Sequence, residues 1–193
     1  MRKVYLICLL LIVSGVRSQQ WTPEMDSLAK VTEENFCLPS GICRAFALQE
    51  SNYNPNAERV EGNYVTSGGT YAKNIRRSAY AFSINHGWQP SVLTEIYQRG
   101  KSVTMFQVMG QNIRDLGYNE PYLNHISLPE QFCFFGTFVA RLYKKHRGNM
   151  ASVASEYNGG YGAVAYKLRN GVYRNQSYVN SILKYIKRFE NHN

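Results

Sequence analysis

Glu50 ends the run Ile42-Cys43-Arg44-Ala45-Phe46-Ala47-Leu48-Gln49-Glu50, in which apolar residues recur at helical spacing. Phe46 stands four residues before it and Ala47 three, so the carboxylate prolongs an apolar stripe and points to the interior or to a cleft. Desolvation there favours the neutral acid, and each unit of pKa shift corresponds to about 1.4 kcal/mol. A rise of about one to two units keeps such a group partly protonated near neutrality, as a general acid requires.

The elements that must hold this acid are helical. Met25 to Phe36 reads as a first helix, and Ser40 as the cap of the Glu50 helix, which Asn54-Pro55 stops. The pattern weakens from Glu58 to Gly100, where Gly68-Gly69 marks a loop, Ile75 to Phe82 a short helix and Pro90 the start of another through Tyr97. Helices are then predicted over Phe106–Leu116, Pro129–Arg147, Met150–Tyr157, Gly162–Arg169 and Ser177–Phe189, with Asn158-Gly159-Gly160 as a stop. Sustained strand-like alternation is nearly absent, so the fold class expected is all-α.

Four blocks carry more specific information. They are Glu50-Ser51-x-Tyr53-Asn54-Pro55-x-Ala57, Met105-Phe106-Gln107-Val108-Met109-Gly110, Tyr157-Asn158-Gly159-Gly160 and Arg174-Asn175-Gln176-Ser177-Tyr178-Val179. In that order they resemble the motifs of soluble lytic transglycosylases and goose-type lysozymes, over about residues 39–189. The resemblance implies a lysozyme-like domain that cuts the β-1,4 bond between N-acetylmuramic acid and N-acetylglucosamine in peptidoglycan. Glu50 is then the catalytic acid, and Ser51, Gln107, Met109, Tyr157, Asn158 and Tyr178 are substrate-binding residues. An amide grips sugar and peptide groups, methionine gives an adaptable wall, and a phenol hydrogen-bonds the acid or an acetamido group. For Met105, Phe106 and Met109 plain helix core is the competing reading, and for Asn158 a simple helix stop.

The same resemblance implies a lyase. Glu50 protonates the linking oxygen and then, as carboxylate, takes the proton of the muramyl 6-hydroxyl as it closes to a 1,6-anhydro end. One carboxyl group serves both steps, unlike the usual two-carboxylate hydrolysis. Two alternatives stay open: a hydrolytic muramidase, with Glu61 as a second carboxylate, and an inactive peptidoglycan-binding module. The reading of Glu61 as an ion-pair partner of Arg59 is the favoured one.

The chain departs from the family pattern in three ways. Glu50 and Gln107 are 57 positions apart (50 to 107), so residues 58–100 read as an insertion like that of phage- and prophage-type members. Thr104 or Met105 stands where glycine is usual, and Ser102 is the candidate for a serine of the acetyl pocket. The insertion carries Tyr64, Tyr71, Tyr80, Trp88 and Tyr97 beside Arg59, Lys73, Arg76, Arg77 and Arg99, a composition suited to gripping a glycan with acidic peptides.

Composition sets the compartment and the partner. Arg2 and Lys3, the apolar run Val4–Val13 and a small-residue stretch read as a signal peptide, residues 1–18, cut near Ser18–Gln19. The expectation is one exported domain, 19–193, in the periplasm or at the extracellular cell wall. Losing Arg2, Lys3 and Arg17 lowers the formal charge from +9 to +6, which still favours a polyanion. No DNA-binding motif accompanies it, so peptidoglycan glycan strands are the expected partner and nucleic acid is not. A monomer is expected, with a secretion or phage apparatus as a further candidate partner. Cys37, Cys43 and Cys133 remain after export and are disulfide candidates, one pair among three. No His or Asp cluster accompanies them at zinc spacing, so neither metal nor cofactor is expected.

Overall fold

Thr22 accepts a hydrogen bond from the Met25 amide at 3.2 Å and Pro23 takes the first helical position, which together start α1 (Pro23–Asn35). The computed structural model describes residues 19–62 and 70–190; the expected signal peptide and Tyr64 lie outside them. The described chain is mostly helical. After α1 come α2 (Ile42–Ser51), α3 (Thr70–Asn85), α4 (Val92–Arg99), α5 (Gly110–Asp115), α6 (Leu128–Lys145), α7 (Met150–Asn170) and α8 (Gln176–Glu190). A 3-10 turn, Leu123–His125, separates α5 from α6. No helix among the described residues is long and apolar enough to cross a membrane.

A small antiparallel sheet accompanies the helices, and the mostly helical chain remains compatible with the all-α class expected. The strands of the sheet are β1 (Glu58–Val60), β2 (Lys101–Val103) and β3 (Val108–Met109), in the order β1-β2-β3. Arg59 pairs with Ser102, and Ser102 with Met109. Strands of two or three residues are too short for alternation to be read in the sequence. The sheet also shortens the helix expected over Phe106–Leu116, which starts only at Gly110. Its consequence is larger than its size, because β1 and β2 join the two ends of the insertion. The chain between β1 and β2 thus leaves and returns through a closed neck.

Other boundaries move for local reasons. Ser40 does not cap α2; the N-cap is Gly41 at φ 79°, without a side-chain cap of its own, and the carboxylate of Glu33 accepts from the Gly41 and Cys43 amides at 3.0 and 2.9 Å. Ser91 rather than Pro90 starts α4, accepting from Thr94 at 3.2 Å. Helix α7 keeps the expected break as a kink at Gly160, whose φ of 64° and ψ of −179° only glycine adopts freely.

The core lies between α2, α6, α7 and α8 and is aromatic. Phe106 stacks on Phe135 at 4.1 Å, and Phe46 meets Phe135 at 5.3 Å and Tyr157 at 4.8 Å. Phe46, Phe106 and Phe135 are fully buried, each contributing about 1.5–3 kcal/mol of transfer free energy. Gly136 lets α6 approach α1, since a Cβ there would collide with Phe36 and Thr32. The expected disulfide is not formed: Cys37, Cys43 and Cys133 are free thiols. Cys43 is buried with its thiol toward the Ala29 carbonyl at 3.9 Å, so packing inside the α1–α2 contact takes the place of a bridge.

Candidate active site

Glu50 sits in the last turn of α2, on the wall of a cleft of about 520 Å³. The apolar stripe behind it is as the sequence predicts, with Phe46 and Ala47 fully buried. Just beyond, Asn52 and Tyr53 both adopt positive φ, 53° and 67°, and turn the chain sharply toward the sheet. Burial raises the Glu50 carboxyl above its ordinary value; the Tyr178 hydroxyl and the Arg59 charge pull it partly back, and Glu61 pushes it up again. Tyr178, in the first turn of α8, donates a short hydrogen bond to Oε1 of Glu50. Oε2 has no hydrogen-bond partner among the described residues.

The sheet supplies the opposite wall. Arg59, Ser102 and Met109 lie across from one another in register, and Glu61 follows Arg59 by two residues, so all four share a face. All four line the cleft. Arg59 binds Oε1 of Glu61 at 2.7 Å and Ser102 donates to the same oxygen at 2.9 Å. Glu61 thus lines the cleft and is ion-paired with Arg59.

The Gln107 segment is stitched in place from three sides. Ser51 donates to the Met105 carbonyl at 2.8 Å and Tyr157 to the Phe106 carbonyl at 2.6 Å. Gln131, which sequence reasoning missed, accepts from the Met105 amide at 3.2 Å and donates to Pro55 at 3.1 Å. Burial and then Glu50 push the Tyr157 phenol well above its ordinary value, and burial and Glu50 do the same to Tyr178; both stay protonated donors at neutral pH. Thr104 at φ 74° and Gln107 at φ 51° carry strained left-handed backbone, Thr104 at one of the two positions where the sequence lacks the expected glycine. Gln107 donates through Nε2 to the carbonyls of Ala57 and Thr104, both at 3.0 Å.

These contacts redistribute the expected roles. Gln107, Met109, Tyr157 and Asn158 line the cleft with Glu50, whereas Tyr178 reaches Glu50 from behind. Ser51 is not a cleft residue; its hydroxyl ties α2 to Met105 and accepts from Asn54, so it positions rather than binds. Met105 and Phe106 are core. Asn158 is held by Asn175 at 3.0 Å, beyond its place in the turn.

Glu156 was missed. It lines the cleft and pairs with Lys145 at 2.6 Å and His146 at 2.7 Å. The basic run Lys144-Lys145-His146-Arg147 is the one local signal in the sequence for such a partner. Of the cleft carboxylates, Glu61 and Glu156 are ion-paired and Glu50 forms no ion pair within the described residues. The site thus holds one half-buried, partly committed acid among ion-paired ones, suited to giving a proton to a ligand. No group of three or more His, Cys, Asp or Glu among the described residues is arranged to hold a metal.

Comparisons with protein-family models, with curated proteins and with solved structures return no match.

Proposed function

We propose that the chain is a peptidoglycan lytic transglycosylase with Glu50 as its acid, exported to act on the cell wall. The observation that carries this reading is the asymmetry at Glu50. One carboxyl oxygen is held by Tyr178, and the other has no described partner in a cleft whose remaining carboxylates are paired. Hydrogen bonding from Tyr178 fixes the carboxyl so that its second oxygen carries the transferable proton. That proton goes to the glycosidic oxygen as the bond to the anomeric carbon breaks. The resulting carboxylate takes the proton of the muramyl 6-hydroxyl as its oxygen bonds the anomeric carbon. A 1,6-anhydro end forms, Glu50 is regenerated as the acid, and no water is consumed.

The hydrolytic alternative draws support from Glu61, a carboxylate on the facing wall. Its Oε1 already accepts from both Arg59 and Ser102, so that oxygen is occupied and not open to a water.

Replacing Glu50 with Gln keeps the shape and removes the proton. The expected result is a loss of sacculus cleavage of about 10²- to 10⁴-fold in a protein that still melts cooperatively. Turbidity loss of purified sacculi, read beside a thermal melt, checks it. Activity near wild type in the folded variant removes Glu50 from the mechanism.

A further inference from the structure

The cations of the insertion do not share one environment. Arg99 is internal, paired at 2.8 Å with Glu95, which is fully buried and also meets Arg114 at 2.9 Å. This corrects its expected place among the substrate-facing cations. Lys73, Arg76 and Arg77 stand on α3 and are not part of the cleft lining. Among the described residues, Arg59 is the one lysine or arginine that lines the Glu50 cleft.

Arg59 is also held in a set orientation. It lies on β1 opposite Ser102 of β2, and its Nε donates to Oε1 of Glu61 at 2.7 Å. Ser102 donates to the same oxygen at 2.9 Å, so Glu61 is anchored in turn. The neighbouring pair, Glu58 with Lys101 at 2.7 Å, belongs to the other face of the sheet, because Glu58 and Arg59 are successive residues of one strand. Nη1 and Nη2 of Arg59 have no hydrogen-bond partner among the described residues, and 62% of the side chain is exposed. With Nε engaged by Glu61, the outer edge of the guanidinium offers two parallel N–H donors, one from each amino group. That spacing matches the two oxygens of a carboxylate.

We propose that the outer edge of Arg59 is a carboxylate-reading subsite within the cleft, so that the chain prefers a glycan strand with free carboxylates to the same strand without them. The proposal rests on the reading of the cleft as a peptidoglycan site, whose peptides carry such groups. Net charge does not make this choice, since Glu61 offsets Arg59. The paired donors do: a hydroxyl or amide oxygen satisfies one of them, and a carboxylate satisfies both. Arg59 shares its cavity wall with Glu50, which ties the ligand to whatever the cleft holds.

The Arg59 charge also pulls on the Glu50 carboxyl, so binding is read in the Glu50→Gln background, where that route is closed and strands are not consumed. The probe is solubilised, end-labelled peptidoglycan strands, either native or with their carboxyl groups converted to amides, at a salt concentration that screens long-range attraction. Glu50→Gln is expected to bind native strands about tenfold more tightly than amidated ones. Glu50→Gln/Arg59→Ala should bind both forms alike, as weakly as its parent binds the amidated form. Arg59→Lys keeps a charge beside Glu61 but loses the fork, and should retain a preference of about threefold at most; it decides the matter if the alanine variant does not fold. A parent without preference overturns the proposal, as does a folded alanine variant that keeps the preference or loses affinity equally for both forms. Wild-type protein that cuts no strand, while the preference follows Arg59, removes the lyase reading and leaves the subsite standing. Cleavage by wild type with no preference traceable to Arg59 does the reverse.

Discussion

Each end of α2 meets a glutamate beside a cavity, Glu33 buried and Glu50 half-buried, and they show what separates a structural carboxylate from a reactive one. At the N-terminal end, Glu33 reaches across from α1 and both its oxygens accept from backbone amides, those of Gly41 and Cys43. Burial raises its pKa, and those two amides pull it back. At the C-terminal end, burial raises Glu50 too, but one phenol is its sole described hydrogen-bond partner. The helix dipole sharpens the contrast, favouring a charged carboxylate at the first end and a neutral one at the second. Cavity size does not pick the site: the cavity beside Glu33 is about 600 Å³, that beside Glu50 about 520 Å³. The carboxyl oxygen without a partner among the described residues does.

The contrast breaks most visibly at Glu33. Glu33→Ala leaves two buried amides at the start of α2 without acceptors, at a cost of about 3 kcal/mol, or roughly 6 to 12 °C in melting temperature. Glycan cleavage measured well below the melt should persist. If cleavage vanishes while the fold stands, the two ends are not functionally separate.

A smaller effect is expected at Tyr178. Tyr178→Phe removes a donor that stabilises the Glu50 carboxylate, so the carboxyl pKa climbs further. An acid works only while protonated, so the alkaline limb of the pH–rate profile should move to higher pH, with the rate at the optimum falling about tenfold. A limb that stays in place or moves to lower pH contradicts the hydrogen bond's assigned effect.

The smallest effect concerns stability at Glu50 itself. Its carboxyl is raised in the fold, so between the ordinary carboxylate range and that raised value the folded protein holds a proton the unfolded chain has released. Stability therefore falls as pH rises through that window, and below it the penalty is absent. Glu50→Gln lacks the penalty: it should melt above wild type at neutral pH and converge with it on acidification. Melts across pH that show a constant gap contradict the raised pKa.

Much of this arrangement is legible in the sequence, where spacing carries it. The stripe of Phe46, Ala47 and Glu50 follows from helical periodicity, and the break at Gly160 from two adjacent glycines. Four motif blocks bring Glu50, Gln107, Tyr157 and Tyr178 together before any coordinate does. What stays hidden is long-range pairing. Nothing local says that Arg59 faces Ser102, that Gln131 holds Met105, or that Glu156 meets Lys145, because each contact is decided by packing between separate elements. Ser51 shows the same limit from the other side: its place next to the acid suggests ligand contact, while its hydroxyl is used by the backbone at Met105. Glu95 reads as an ordinary helix-face charge, yet two arginines from different helices enclose it.

The central claim is that Glu50 serves both steps of a transglycosylation, and the product reports on it directly. Sacculi digested with the wild-type protein and analysed by mass spectrometry without reduction should yield muropeptides ending in 1,6-anhydro-N-acetylmuramic acid, one water lighter than reducing ends. Muropeptides that instead carry reducing ends, absent from the Glu50→Gln digest, would show that water and not the 6-hydroxyl attacks the anomeric carbon, and would contradict the account.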